Sequence, residues 1–122
     1  MLNNSFYQVI NKQETDGSIT LTVEFNAAHK IFEGHFPGQP VVPGVCMLHI
    51  IKEQLAGHVQ KQIILREAAQ VKYLNMITPA TVPVAEIVIA FQPAGEQLFS
   101  VTATITANTT TYCKAKLLFG VV

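Results

Sequence analysis

A stretch rich in glycine, proline and histidine in the first half of the chain could carry chemistry. Residues 34–45 read GHFPGQPVVPGV, and their three glycines and three prolines dictate an unusual backbone path ahead of an apolar helix. His35 is a titratable base within this loop. The amides of Gly44 and Val45 are predicted to lie unpaired at the helix N-terminus, where the helix dipole is positive. This spacing favours an oxyanion site beside a base, although His35 could instead be a loop histidine that only hydrogen-bonds the backbone.

A second pair of titratable residues lies further along the predicted helix. His49 and Glu53 are four positions apart, so their side chains can touch. Such a histidine is often a satisfied core residue, and such a glutamate is usually a solvated or interface charge. Alternatively, Glu53 holds His49 protonated or supplies a carboxylate itself. The sequence contains no Ser-His-Asp set, metal cluster or phosphate loop, so no cofactor and no metal are expected.

The element that must position these residues is a helix predicted over roughly Gly44–Ala56. Pro43 lies at its start and Gly57 is placed to end it, while its first two turns are apolar nearly all round. The helix is therefore expected to be buried. No regular element is predicted between Asn26 and Gly44.

The remaining chain has the pattern of β-strands. Ser18–Phe25 alternates strictly between apolar and polar residues, and the turn at 15–17 is predicted to pair it with Phe6–Lys12. After the helix, β-rich runs separated by turn residues cover Ile63–Arg66, Ala69–Asn75, Val82–Phe91, Leu98–Thr106 and Thr111–Phe119. One buried helix with five or six antiparallel strands predicts an α+β fold in which the sheet wraps around the helix.

Composition limits the function further. A chain of 122 residues predicts a single domain over residues 1–122, and a hydrophobic fraction of 49% with only 13% charged residues suggests that a second copy buries apolar surface. Zero net charge without charged runs argues against nucleic acid or an anionic membrane as a partner. The longest apolar run, Pro40–Ile51, is too short and too interrupted to span a bilayer, so a cytoplasmic location is expected.

Residues 32–45, FEGHFPGQPVVPGV, resemble the GHFPG-x-P-hydrophobic-x-PGV signature of the 3-hydroxyacyl-[acyl-carrier-protein] dehydratases of type II fatty acid synthesis. Residues 71–75, VKYLN, resemble the strand that follows the helix in that family. The resemblance implies the hotdog fold, in which one long central helix is wrapped by an antiparallel β-sheet. It also implies a homodimer, or a higher oligomer of dimers, with active sites at the subunit interface.

The resemblance implies a reaction and the residues that perform it. The substrate is a 3-hydroxyacyl or enoyl chain on acyl carrier protein, which the enzyme dehydrates or hydrates. His35 is implied as the catalytic base, and the amide of Gly44 polarises the thioester carbonyl. The residues expected to contact substrate are Phe36, Pro43, Val45 and Glu53.

One departure from the family pattern affects the catalytic acid. The family places Glu or Asp fourteen residues after its histidine, and this chain has His49 there. Our interpretation is a dehydratase in which His49 is the third catalytic residue. An alternative is a non-catalytic acyl-binding subunit or heterodimeric partner that has lost the acid. A weaker alternative is a hotdog acyl thioesterase that uses Glu53.

Overall fold

The structure is a computed structural model that describes residues 2–34 and 38–122. Its elements, in chain order, are β1 (Tyr7–Glu14), β2 (Ser18–Phe25), α1 (Ile31–Gly34), α2 (Gly44–Val59), β3 (Ile63–Tyr73), β4 (Val84–Pro93), β5 (Leu98–Ala107) and β6 (Thr110–Val121). The strands form one antiparallel sheet in the order β1-β2-β4-β5-β6-β3, which confirms the predicted α+β plan. No helix within the described ranges is long and apolar enough to cross a membrane.

One face of the sheet and one side of α2 together form the core. The alternation in β2 and β5 turns their apolar side chains to the same inner face, where they are buried. α2 contributes the buried residues Met47, Ile50, Ile51 and Leu55 to this cluster. Because each such side chain stabilises the fold by about 1.5–3 kcal/mol when fully buried, this contact fixes the position of α2 on the sheet.

The helix is longer than its sequence suggests. α2 continues through Gly57 to Val59, so the prediction that Gly57 ends it is wrong. Gln60 takes the left-handed conformation instead, with φ 56° and ψ 44°, and its backbone N–H donates to the Ala56 carbonyl. A glycine is tolerated inside a helix that is held by the packing of its neighbours, at a cost of about 1 kcal/mol relative to alanine.

Two predicted strands after the helix are a single strand. β3 runs unbroken over Ile63–Tyr73 and pairs with β6, with register shifts between Leu65 and Glu67 and between Ala68 and Gln70. These irregularities interrupt the alternation without ending the pairing, which is why the sequence pattern was interpreted as two strands. β3 lies at one edge of the sheet, and β1 lies at the other.

One further expectation is corrected. The segment after β2, expected to lack regular structure, contains the single-turn helix α1. β4 lies inside the sheet and is buried on one face only. Ala85, Ile87 and Ile89 are buried, whereas Glu86 and Ala90, which alternate with them, are exposed. The outer face of the sheet at β4 is therefore uncovered by the described residues.

Gly57→Ala tests the observed helix end. A Cβ at this position would meet no atom within 4 Å, so the variant is expected to raise the free energy of unfolding by about 0.5–1 kcal/mol. Gln60→Gly changes the residue that caps the helix. This variant is expected to raise the free energy of unfolding by up to about 1 kcal/mol, because glycine adopts positive φ without strain. Urea denaturation followed by circular dichroism measures both. A clear loss of stability in Gly57→Ala would place the end of the helix at Gly57 after all.

Candidate active site

The N-terminus of α2 presents two free amides. Pro43 precedes the helix in an extended conformation, and its carbonyl accepts hydrogen bonds from the amides of Cys46 (3.0 Å) and Met47 (3.3 Å). The amides of Gly44 and Val45 are bonded to no acceptor within residues 2–34 and 38–122. They are thus available to an anion or a polarised carbonyl oxygen, as the sequence predicts.

Gly44 is needed because an aromatic ring lies against it. A Cβ atom on Gly44 would lie 2.5 Å from Cζ of Tyr73, 2.8 Å from its hydroxyl oxygen and 2.9 Å from Cε1. Sequence reasoning did not assign Tyr73 to the site. The sequence indicates only that Tyr73 lies in the strand that follows the helix. No spacing rule relates the end of that strand to a helix start 29 positions earlier.

A largely apolar cavity of about 400 Å³ lies in front of these amides. Its walls come from the loop before α2, the first turn of α2 and the segment that follows β3. The lining residues are Val41, Val42, Pro43, Gly44, Val45, Met47, Tyr73, Asn75 and Met76. The cavity therefore places Pro43 and Val45, both expected to contact substrate, around the Gly44 amide. His35 and Phe36, the other residues expected in this loop, lie outside the described residues.

His49 lies on the same side of α2 as Val45. Its side chain is 41% exposed, and it lines a cavity of about 170 Å³ together with Val45 and Leu65. It also lines a cavity of about 370 Å³ that extends to Glu53 and Ile64. Because Val45 borders both the Gly44 cavity and the smaller His49 cavity, the two predicted site residues face neighbouring spaces between α2 and β3.

The expectation that α2 is buried all round holds for only one of its sides. Val45 is 72% exposed, in contrast to the fully buried Ile50 and Ile51 on the opposite side. His49 is likewise partly exposed. The apolar pattern of the first two turns therefore reflects two different surfaces, one packed on the sheet and one facing the cavities.

Glu53 is held by the N-terminal segment of the chain. Its side chain is only 4% exposed, and one carboxylate oxygen accepts the amide of Leu2 at 2.9 Å and that of Asn3 at 3.5 Å. The other oxygen accepts the hydroxyl of Tyr7 at 3.0 Å. A buried carboxylate with these donors has few lone pairs left for substrate.

The hydrogen bonds continue from Glu53 towards β1. The amide nitrogen of Gln54 donates to the Tyr7 hydroxyl at 3.0 Å, and Lys12 donates to the amide oxygen of Gln54 at 2.9 Å. Burial, followed by the proximity of the Glu53 carboxylate, raises the pKa of Tyr7 well above its usual range. Tyr7 therefore remains a donor, and the network ties β1 to α2 in a single arrangement.

His49 and Glu53 meet as the i,i+4 spacing predicts, but not closely. Nε2 of His49 lies 3.9 Å from a carboxylate oxygen of Glu53, which is beyond hydrogen-bond length and within ion-pair range when the imidazole is protonated. The strong contacts of Glu53 are those with Leu2 and Tyr7. His49 is therefore free to direct hydrogen bonds into the cavities.

The other two histidines have local partners away from the cavities. Nδ1 of His58 lies 2.8 Å from a carboxylate oxygen of Glu14, and this contact lowers the pKa of the exposed Glu14 carboxyl. His29 Nδ1 accepts the amide of Ile31 at 3.1 Å at the start of α1. Within the described part of the chain, no three metal-ligating side chains cluster together.

Comparison with known proteins identifies the architecture. The dehydratase heterocomplex ApeI:P from Xenorhabdus doucetiae superposes with a TM-score of 0.74, covering 93% of this chain and 96% of the other at 16% identity. A hypothetical thioesterase from Streptococcus pneumoniae, solved with coenzyme A, superposes with a TM-score of 0.69 at 13% identity, covering 95% of this chain and 85% of the other. The fold is thus the hotdog fold expected from the sequence.

Sequence comparison then gives the family. A family model described as ApeI-like, ApeI dehydratase, matches residues 11–115. The 3-hydroxyacyl-[acyl-carrier-protein] dehydratase FabZ of Clostridium acetobutylicum is 36% identical over 75 residues, or 55% of this chain and 51% of the relative. The FabZ of Rickettsia massiliae is 28% identical over 102 residues, 77% of this chain and 70% of the relative. The first of these alignments spans about half the length of the relative.

The superpositions define a hotdog protein. Since the family model covers most of the chain, this protein belongs to the ApeI-like dehydratase family.

Glu53→Gln tests whether Glu53 is primarily structural. The new amide group cannot accept from all the donors that now face the carboxylate, so we expect the free energy of unfolding to fall by about 1–3 kcal/mol. Lys52→Gln, on the adjacent half-buried position, is the matched control and is expected to change stability by less than about 0.5 kcal/mol. Equal stability of both variants in chemical denaturation would contradict the structural role.

Proposed function

We propose that this protein dehydrates a 3-hydroxyacyl thioester carried on acyl carrier protein, or hydrates the corresponding enoyl thioester. The single observation that carries the proposal is the Gly44 amide, free of any acceptor among the described residues and facing an apolar cavity at the start of α2. The dehydratase motif at residues 34–45 and the family membership support the same reaction.

In this mechanism the Gly44 amide binds the thioester carbonyl oxygen. The positive end of α2 then stabilises the negative charge that develops on that oxygen when the neighbouring Cα loses a proton. The apolar walls exclude water and strengthen this interaction. Pro43 and Val45 position the first carbons of the acyl chain against the amide.

Two histidines would move the protons. His35 takes the Cα proton, the electron pair forms the Cα–Cβ double bond, and the C3–O bond breaks. The departing hydroxyl takes a proton from His49 and leaves as water. One imidazole gains the proton that the other loses, and exchange with solvent restores both.

His49 replaces a carboxylic acid in this role, so it must be protonated when the hydroxyl leaves. The carboxylate of Glu53 lies 3.9 Å from Nε2 of His49, one helical turn away. Glu53 itself is a weak candidate for the acid, since Leu2, Asn3 and Tyr7 already occupy its oxygens. We therefore assign Glu53 to positioning and His49 to proton transfer.

A second hotdog chain is proposed to complete the site. β3 is an edge strand, and Leu74 and Met76 just beyond it are 48% and 71% exposed. Val45, on the helix beside this edge, is 72% exposed. Such an apolar surface beside an unpaired strand edge suits pairing with a second copy, in a dimer or an oligomer of dimers. A cytoplasmic location remains a prediction.

The second candidate function is a non-catalytic or heterodimeric partner subunit. The observation that favours it is His49 at the position where the family resemblance implies a carboxylate. The similarity in fold to a dehydratase heterocomplex is in keeping with it. A thioesterase is less well supported, because its required carboxylate would be Glu53, whose side chain is only 4% exposed.

His35→Ala tests the base. If His35 removes the Cα proton, hydration of crotonyl and longer enoyl thioesters is expected to slow by about 10²–10⁴-fold. Circular dichroism and the unfolding midpoint should match the parent, since the prolines and glycines around position 35 set the loop path. Activity within a few-fold of the parent would remove His35 from the mechanism.

His49→Gln tests the acid and separates the two candidate functions. Glutamine keeps a hydrogen bond but cannot transfer a proton, so turnover is expected to fall without weaker acyl binding. The parent should show a bell-shaped dependence of rate on pH, because the two histidines must carry opposite protonation states. His58→Gln, at a histidine paired with Glu14 away from the cavities, is the matched control and should keep parental turnover.

Three outcomes decide between the candidates. Undiminished turnover in His49→Gln would leave His49 as a packing residue only. A parent that binds acyl thioesters without turnover, but becomes active as His49→Glu, would identify a subunit that has lost its acid. A parent that binds no acyl thioester would contradict both candidates.

A further inference from the structure

The hydroxyl of Tyr73 lies beside the amide assigned to the thioester carbonyl. A Cβ atom on Gly44 would be 2.8 Å from that hydroxyl oxygen. Standard bond lengths put the nitrogen and Cβ of one residue about 2.5 Å apart, so the hydroxyl lies within about 5 Å of the Gly44 nitrogen. Two donors at that separation can both reach a single oxygen atom at ordinary hydrogen-bond lengths.

The Tyr73 hydroxyl has no partner in the described part of the chain. No group within residues 2–34 and 38–122 forms a hydrogen bond with it. The side chain is 49% exposed and lines the 400 Å³ cavity, so the hydroxyl is accessible to a molecule bound there. Tyr7 provides the contrast, because its hydroxyl is bonded to both Glu53 and Gln54.

We propose that the Tyr73 hydroxyl is a second hydrogen-bond donor to the carbonyl oxygen of the bound acyl thioester, alongside the Gly44 amide. The inference rests on the proposed function and adds a catalytic residue to it. Removal of the Cα proton moves negative charge onto that oxygen, so a second donor stabilises the transition state more than the ground state. Burial raises the pKa of Tyr73, and the phenol therefore keeps its proton at neutral pH.

The contact with Gly44 also fixes where the hydroxyl lies. Any side chain at position 44 would displace the ring, so glycine holds the phenol close to the first amide of α2. At its other end, Tyr73 pairs with Cys113 of β6, and the next amide, that of Leu74, donates to the Tyr112 carbonyl at 2.9 Å. The hydroxyl is thus positioned by rigid elements on both sides of the cavity, as a donor to a developing charge must be.

The test uses a thioester that cannot react. Butyryl-pantetheine, isotope-labelled at its carbonyl carbon, has neither the C3 hydroxyl nor the double bond, and each hydrogen bond to its carbonyl lowers the infrared stretching frequency. We expect the band of the bound probe to be lowered in the parent and to move partly back in Tyr73→Phe. Tyr112→Phe removes a phenol hydroxyl outside this cavity and should match the parent.

Turnover provides the second measurement. Tyr73→Phe is expected to lower kcat by roughly 10²-fold with little change in KM, since one donor to the developing charge is lost while the ring remains. An unchanged carbonyl band in Tyr73→Phe would overturn the inference while leaving the proposed function intact. A parent that does not bind the probe would overturn the proposed function, and this inference with it.

Discussion

One side of α2 is buried against the inner face of the sheet, and the candidate site residues on this helix, from Gly44 to Glu53, depend on that contact for their position. Ile50 and Ile51 are fully buried there, and no polar side chain can replace them without losing several kcal/mol. With that side fixed, the helix can only turn Val45 and His49 away from the sheet. The amide of Gly44 has no acceptor among the described residues because it lies in the first turn of α2, where backbone amides lack an intrahelical partner.

The polar network around Glu53 fixes the orientation of α2, which the burial of apolar side chains alone leaves loosely defined. Apolar packing alone would allow α2 to rotate or slide slightly, whereas hydrogen bonds require particular partners. Glu53, Tyr7 and Gln54 satisfy one another, and Lys12 of β1 completes the chain. The network joins residues about 50 positions apart in sequence. Only 13% of the residues are charged, and one of them, Glu53, has a buried side chain. Its hydrogen bonds fix the position of the central helix.

The side chains of His49 and Glu53, one helical turn apart, face in different directions. At position 49 the chain has an imidazole facing the cavities, and one turn later it has a carboxylate turned into the protein. Two backbone amides and a phenol hydroxyl donate to that carboxylate, so its oxygens are already engaged within the protein. In the proposed mechanism, the reaction depends on His49, on the Gly44 amide and on the phenol of Tyr73, all of which border the space between α2 and β3.

Local patterns were sufficient for much of this structure. Three patterns predicted most of the elements: the alternation of Ser18–Phe25, the apolar run after Pro43, and the turn residues between strands. Each of these patterns depends on residues that are close together in the sequence. The position of Pro43 predicted the start of α2 at Gly44 for the same reason, since proline favours the beginning of a helix. The i,i+4 spacing likewise predicted that His49 and Glu53 would meet.

What the sequence by itself determined was therefore most of the elements, the family and the start of α2 at Gly44. Only the tertiary structure decided that α2 passes through Gly57, that two strand patterns form the single strand β3, and that Glu53 binds the N-terminal segment. It alone placed Tyr73 over Gly44. The physical reason is common to all four: each depends on contacts between residues distant in the chain, whose energies outweigh the local preferences that a sequence pattern records.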